Sequence, residues 1–228
     1  MSAWKALQQL GVPPDEIKEL FDNRIVLPQQ INPRGELKPP RDVGPLRAPH
    51  INHLKGRRIS RAAADLWRLG GIGRLGGNLS WRLYVPIFWK GDQVSWTTRS
   101  TTDEGMRWIA AKPEEERLSS AEILYGWDHV RDAAILVEGP GDCWRGGAGF
   151  CCALGLKLSN RQLELLASVP RRGICLDREP AAQKKALQFA EQLSSLPGET
   201  IICELEHGSD PGDAPNSELE ELRKEILR

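Results

Sequence analysis

Residues 134 to 142 read Ala134-Ile135-Leu136-Val137-Glu138-Gly139-Pro140-Gly141-Asp142. The apolar run is too short for a helix of its own and suits a short buried strand. Gly139, Pro140 and Gly141 then stop it abruptly. Glu138 therefore stands at the carboxyl end of a strand, and Asp142 just past a tight turn. In open parallel sheets that edge is where ligands bind.

Downstream the pattern repeats. Phe150 to Leu154, Gly173 to Asp177 and Thr200 to Leu205 are expected to be further strands. Between them the sequence predicts a helical turn near 142–147, a helix capped by Asn160 and running through Ala167, and a long helix from Ala181 to Ser195. Ser217 is expected to cap a final helix to Leu227. Strands alternating with helices imply right-handed crossovers, hence an α/β unit with a parallel sheet of about four strands flanked by helices.

The upstream half has a different grammar. HLKGRRISRAAADLWRLG, residues 53–70, reads as one helix with Ser60 as a plausible N-cap and Gly70-Gly71 as its end. Arg82 to Trp89 and Gln93 to Arg99 read as strands joined by a Lys90-Gly91-Asp92 turn, and residues 107–111 as a third. This is an α+β pattern. Residues 1–23 suggest two short helices broken at Gly11-Val12-Pro13-Pro14, and the proline-rich stretch 27–49 a connector or an extended arm packed on something else. The expected division is 1–49 for the N-terminal helices and connector, 50–131 for a basic α+β subdomain, 132–215 for the parallel-sheet domain, and 216–228 for the last helix.

At 40% hydrophobic and 27% charged residues, the 228-residue composition is that of a soluble globular protein. There is no run long enough to span a bilayer and no signal peptide, so the expected location is cytoplasmic, with no membrane partner. The five cysteines, Cys143, Cys151, Cys152, Cys175 and Cys203, form no CxxC pair and are read as buried thiols. His50 and His53 have no thiol near them. Net charge is zero but unevenly placed: Arg41 to Lys112 holds thirteen basic residues against five acids, and Glu204 onward eight acids against three bases. A basic half facing an acidic half suits one surface that holds polyphosphate and another that holds metal.

Acids cluster where the strands end. Glu138 follows the first, Asp177 and Glu179 the third, and Asp210 and Asp213 the fourth. Parallel strands put these ends on one sheet edge. Crowded carboxylates need protons or cations, and Mg²⁺ prefers one or two carboxylates plus phosphate oxygens. Capping would explain Asp177 alone, but not Glu138 after a buried strand. No GxxxxGK[ST] loop, HExxH or Ser-His-Asp order is present.

These residues resemble the Toprim domain of primases, topoisomerases and some nucleases. Glu138-Gly139-Pro140-Gly141-Asp142 matches its EGxxD motif, and Asp177-Arg178-Glu179 its DxD motif, with Glu replacing the second Asp. Upstream, Arg82-Leu83-Tyr84-Val85-Pro86-Ile87, the hairpin ending in Arg99, Arg107-Trp108-Ile109 and Ile123-Leu124-Tyr125-Gly126 resemble the primase catalytic core. Asp210-Pro211 resembles its DPD segment, with Gly212 in place of the last Asp. A basic residue that the family places before Leu124-Tyr125-Gly126 is Ser119 or Ser120 here.

The resemblance implies a primase-like nucleotidyltransferase that joins ribonucleoside triphosphates on single-stranded DNA with Mg²⁺ or Mn²⁺. Glu138 would be the metal ligand or general base. Asp177 and Glu179 would hold metal, with Asp142 and Asp210 as outer or second-metal ligands. Arg82, Arg99 and Arg107 would offset triphosphate or template charge. A replicative helicase and a separate zinc-binding protein are the partners it suggests. A Toprim nuclease using the same acids, and a non-catalytic single-strand-binding module, are the alternative readings.

Overall fold

The computed structural model describes residues 8–14, 16, 34–155 and 157–227. Most of the stretch 1–23 therefore lies outside the described residues, although the turn at Gly11 is present, with φ at 77°.

The parallel sheet contains β6 (Ala133–Val137), β7 (Phe150–Cys152), β8 (Arg171–Ile174) and β9 (Glu199–Ile202), in the order β7-β6-β8-β9. All three pairings are parallel. Both central strands are buried; β6 is the uninterrupted apolar run that predicts this, whereas β8 reads Arg171-Arg172-Gly173-Ile174. Helices cover the two faces: α3 (Pro140–Gly146), α4 (Asn160–Ala167), α5 (Pro180–Ser194) and α6 (Asn216–Ile226).

Alternation along β8 decides which helix packs where. Gly173 faces α6, and a Cβ there would sit 3.1 Å from Ile226 and 2.9 Å from the Cys203 sulfur. Its neighbour Arg172 points to the other face and is wholly buried. The Arg172 guanidinium donates to Thr200 Oγ1 at 2.8 Å, to the Leu193 carbonyl at 3.0 Å and to the Leu166 carbonyl at 3.3 Å. Those two carbonyls belong to the last turns of α5 and α4, where a cation offsets the negative end of each helix.

An antiparallel sheet precedes this unit, ordered β1 (Val43–Gly44), β2 (Gly70–Ile72), β3 (Leu83–Trp89), β4 (Asp92–Arg99) and β5 (Trp108–Ala110). The expected hairpin forms. Lys90 and Gly91 both take positive φ, 55° and 87°, the geometry of a type I′ turn. Both amides donate at 2.8 Å to the Asp128 carboxylate, which ties the turn to the chain entering the parallel sheet. Pro86 is tolerated inside β3 because β2 pairs only with Leu83 and Tyr84. Beyond them β3 is an edge on that side, and the missing N–H costs no ladder bond.

Several expectations need correction. Residues 53–70 are not one helix but α1 (Ala48–Gly56) and α2 (Arg61–Leu66). The chain breaks at Arg58, whose φ is 56°, and buried Ile59 turns inward. Ser60 does cap α2, accepting from the Ala63 amide at 3.1 Å. Gly70 and Gly71 do not merely end a helix; they are two of the three residues of β2. The cap of α4 is Ser159 rather than Asn160, and that of α6 is Pro215 rather than Ser217. The third parallel strand stops at Ile174, so Asp177 lies three residues past it. From residue 34 the proline-rich stretch is an arm that packs on the body, with Arg34 and Lys38 amides donating to the Arg117 and Glu115 carbonyls.

One apolar core runs through both sheets. Trp67 stacks on Tyr125 at 5.1 Å, and the Tyr125 hydroxyl accepts from Trp144 Nε1 at 2.8 Å. Gly126 has φ at 84°, and a Cβ there would lie 2.5 Å from the Phe150 carbonyl. That contact and that backbone geometry explain why glycine must follow Leu124-Tyr125. All five cysteines are free and buried. No helix among the described residues is long and apolar enough to cross a membrane.

Candidate active site

A cleft of about 820 Å³ opens between the two sheets. Glu138, Asp142, Asp177 and Asp210 line one side, and Arg57, Arg99 and Arg107 also line it. The carboxylates arrive there by topology. β6 and β8 are adjacent and parallel, so the loops after both emerge at one edge. Asp142 sits in the first turn of α3 and folds back to accept from the Gly139 amide at 3.0 Å. Asp210 belongs to the loop between β9 and α6. Its Oδ1 accepts from the Asp213 amide at 2.8 Å, while Asp213 accepts from the Ser209 and Asp210 amides at 2.8 and 3.1 Å. Arg145 holds this loop from outside by donating to the Ala214 carbonyl at 2.8 Å.

Gly212 lets two of the acids approach. A Cβ at this position would lie 2.9 Å from both Asp142 Oδ1 and Asp210 Oδ1. The residue that departs from the DPD pattern is therefore the one whose missing side chain makes room for these carboxylates.

The electrostatics follow from this crowding. Burial, then the charge of Asp210, pushes Asp142 up to about 7. Burial, then the charges of Glu138, Asp210 and Glu179, pushes Asp177 up to about 7 as well. Asp177 Oδ1 is buried with no hydrogen-bond partner. Gln183 holds the backbone beside it, donating to the Asp177 carbonyl at 2.8 Å. The Lys185 ammonium lies 3.8 Å from Glu138 Oε1.

An all-oxygen donor set, an orphaned buried carboxylate oxygen and two acids held near neutrality fit a hard divalent cation. Among the described residues no three carboxylate, imidazole or thiol groups are already gathered at metal-holding distance. A cation would draw these side chains together.

The sequence-selected residues do not all meet in the cleft. Glu179 is exposed at the N-cap of α5, is not among the cleft-lining residues, and reaches Asp177 through its charge. Arg82 is buried beneath the sheet. Its guanidinium donates to Thr98 Oγ1 at 2.8 Å and to the Met106 and Arg107 carbonyls at 2.9 Å each, so its donors hold the 100–107 loop. Arg99 lines the cleft over the Trp108 ring at 5.2 Å. Burial and the neighbouring Arg57 and Arg107 bring Arg99 down to about 10. Arg57 and Lys185 were not singled out from sequence; Trp108 entered only as a neighbour of Arg107, and Gly212 only as a departure from the DPD segment. Arg57 lies in a basic run, but spacing does not say which of its members faces inward.

The fold places this arrangement among known structures. A parallel sheet with acids beyond its carboxyl edge, joined to an antiparallel sheet, is the fold shared with bacterial and phage primase catalytic cores. The chain matches the Aquifex aeolicus primase (zinc-binding and RNA polymerase domains) at TM-score 0.67 and 21% identity, covering 78% of this chain and 55% of that one. It matches the DnaG primase catalytic domain bound to single-stranded DNA at TM-score 0.63 and 16% identity, covering 78% and 72%. The primase fragment of the bacteriophage T7 primase-helicase protein matches at TM-score 0.55 and 13% identity, covering 77% and 73%. This chain thus spans just over half of the Aquifex chain. No protein-family model matches it. No curated protein matches its sequence.

Proposed function

We propose that the chain is a primase-like nucleotidyltransferase that joins ribonucleoside triphosphates on a single-stranded DNA template. The observation that carries this reading is the cleft itself, lined by Glu138, Asp142, Asp177 and Asp210 and by Arg57, Arg99 and Arg107. A site that transfers a nucleotidyl group must bind a triphosphate of high negative charge and accept a proton from a hydroxyl. Arginines in a partly desolvated cleft meet the first need. Carboxylates at the sheet edge meet the second.

In the reaction, a 3′-hydroxyl oxygen bonds to the α-phosphorus, the bond to the bridging oxygen breaks, and pyrophosphate leaves. Glu138, partly exposed in the cleft, takes the proton the hydroxyl loses. Arg99 and Arg107 bind the triphosphate charge, and Trp108 packs under Arg99 to hold its guanidinium in place. Mg²⁺ or Mn²⁺ would be held by Asp177 and Glu138, with Asp142 and Asp210 beside them. When bound, such an ion polarises the phosphate and stabilises the attacking and leaving oxygens. Coupling to a replicative helicase and template reading by a separate zinc-binding protein belong to the same proposal.

The test is primer synthesis. Purified protein with Mg²⁺ or Mn²⁺, single-stranded DNA and the four ribonucleotides should make short RNA, and Glu138→Gln should abolish it. If the Glu138→Gln variant matches the wild type, the proposal fails. Shortened DNA without added triphosphates would instead identify a nuclease.

A further inference from the structure

Lys185 lies beside the carboxylate cleft, its ammonium 3.8 Å from Glu138 Oε1, and the reaction scheme above does not use it. It sits in the second turn of α5, whose first turn is pinned to the Asp177 backbone by Gln183. Among the described residues, no other basic side chain lies within ion-pair distance of Glu138, Asp142, Asp177 or Asp210. The side chain is 22% exposed, so the ammonium reaches Glu138 across a partly desolvated gap. Its neighbour Lys184 is exposed and has no such partner.

We propose that Lys185 is a positioning residue: its ammonium holds Glu138 in the metal-free protein and competes with a divalent cation for that carboxylate. This rests on the reading of the four carboxylates as the cation-binding site. The physical reason is one of occupancy. Glu138 is the acid the ammonium meets, at 3.8 Å, and a counter-charge there offsets part of the repulsion between Glu138 and Asp177. An incoming ion must displace that ammonium before Glu138 can coordinate. The tethered lysine therefore sets the threshold concentration at which the site fills, and it keeps Glu138 oriented toward the cleft until then.

The experiment is Mn²⁺ titration followed by electron paramagnetic resonance on the full chain, with no nucleotide or DNA. Wild type, Lys185→Ala, Lys185→Arg, Lys184→Ala and Glu138→Gln are compared. Removing a partly exposed ion-pair competitor should tighten Mn²⁺ binding in Lys185→Ala by roughly three- to tenfold. Lys185→Arg and Lys184→Ala should stay within about twofold of wild type, since one keeps the pairing charge and the other removes only a remote one. Binding by Lys185→Ala that is unchanged or weaker overturns the proposal. So does equal tightening in Lys184→Ala, which would mark a general field effect. If Mn²⁺ binds no variant, or binds Glu138→Gln as it does wild type, the carboxylate site itself is wrong and the role of Lys185 falls with it.

Discussion

Replacing Asp142 by Asn removes one charge from the cleft and keeps an oxygen to accept from the Gly139 amide. Asp142 is held at about 7 by burial and by Asp210, whereas an aspartate in an unfolded chain titrates near about 4. The folded protein therefore keeps a proton that the unfolded chain releases. Stability from this group is fully present below about pH 4 and is lost as pH rises through about 7. The two values are about 3 pH units apart. At about 1.4 kcal/mol per unit, the ionised carboxylate costs the metal-free fold on the order of 4 kcal/mol above pH 7. Water at the cleft mouth screens part of this, so about 2–4 kcal/mol is expected. Urea unfolding in the presence of a chelator measures it. Asp142→Asn should match wild type near pH 4, gain steadily above that, and be more stable by that amount at pH 8. A variant no more stable than wild type at pH 8, or a gap of the same size at both pH values, would refute the reasoning.

Gly212→Ala should act on the site and leave the fold nearly untouched. The added Cβ would meet both Asp142 Oδ1 and Asp210 Oδ1 at 2.9 Å, so Mn²⁺ affinity should weaken about tenfold or more. Unfolding free energy should move by less than about 1 kcal/mol, and a large stability loss with unchanged Mn²⁺ binding would contradict the placement. The two buried arginines of the antiparallel sheet should separate cleanly. Arg82→Ala strands the Thr98, Met106 and Arg107 acceptors and should cost about 2–4 kcal/mol in urea unfolding. Arg99→Ala should instead weaken binding of a fluorescent ribonucleotide about tenfold with a smaller stability change. The opposite pattern would exchange their assigned roles.

The sequence was most legible where local chemistry and tertiary structure agree. Ala134 to Val137 is apolar and stops at a Gly-Pro-Gly run, so strand, strand end and Glu138 follow from nearest neighbours alone. The Lys90-Gly91 turn is legible for the same reason. Legibility failed where distant packing outweighs local preference. Residues 53–70 are helical by composition, yet buried Ile59 and the left-handed Arg58 split them. Gly70-Gly71 reads as a terminator, but pairing with Leu83 and Tyr84 makes it a strand. Arg82 and Arg99 look alike as strand-end arginines. Only the path of the 100–107 loop buries one beneath Met106 and Arg107 while leaving the other over Trp108. Gly212 reads as a loss from a motif, and only the packing of Asp142 and Asp210, each 2.9 Å from where its Cβ would sit, gives it a use.

The weakened acidities and the expected affinity for a cation are two expressions of one energy. Asp142 and Asp177 ionise reluctantly because their neighbours are carboxylates in a partly dry cleft. A divalent ion that enters removes that repulsion, so the free energy held by the metal-free fold reappears as binding free energy. Two consequences must then travel together. A variant that relieves the crowding, such as Asp142→Asn, stabilises the metal-free protein and loses cation affinity by a related amount. Adding Mn²⁺ should raise the stability of wild type at pH 8 far more than that of the variant. A protein in which the stability gain appears without the loss of cation affinity would have its carboxylates crowded for some other reason, and the cleft would need a different ligand.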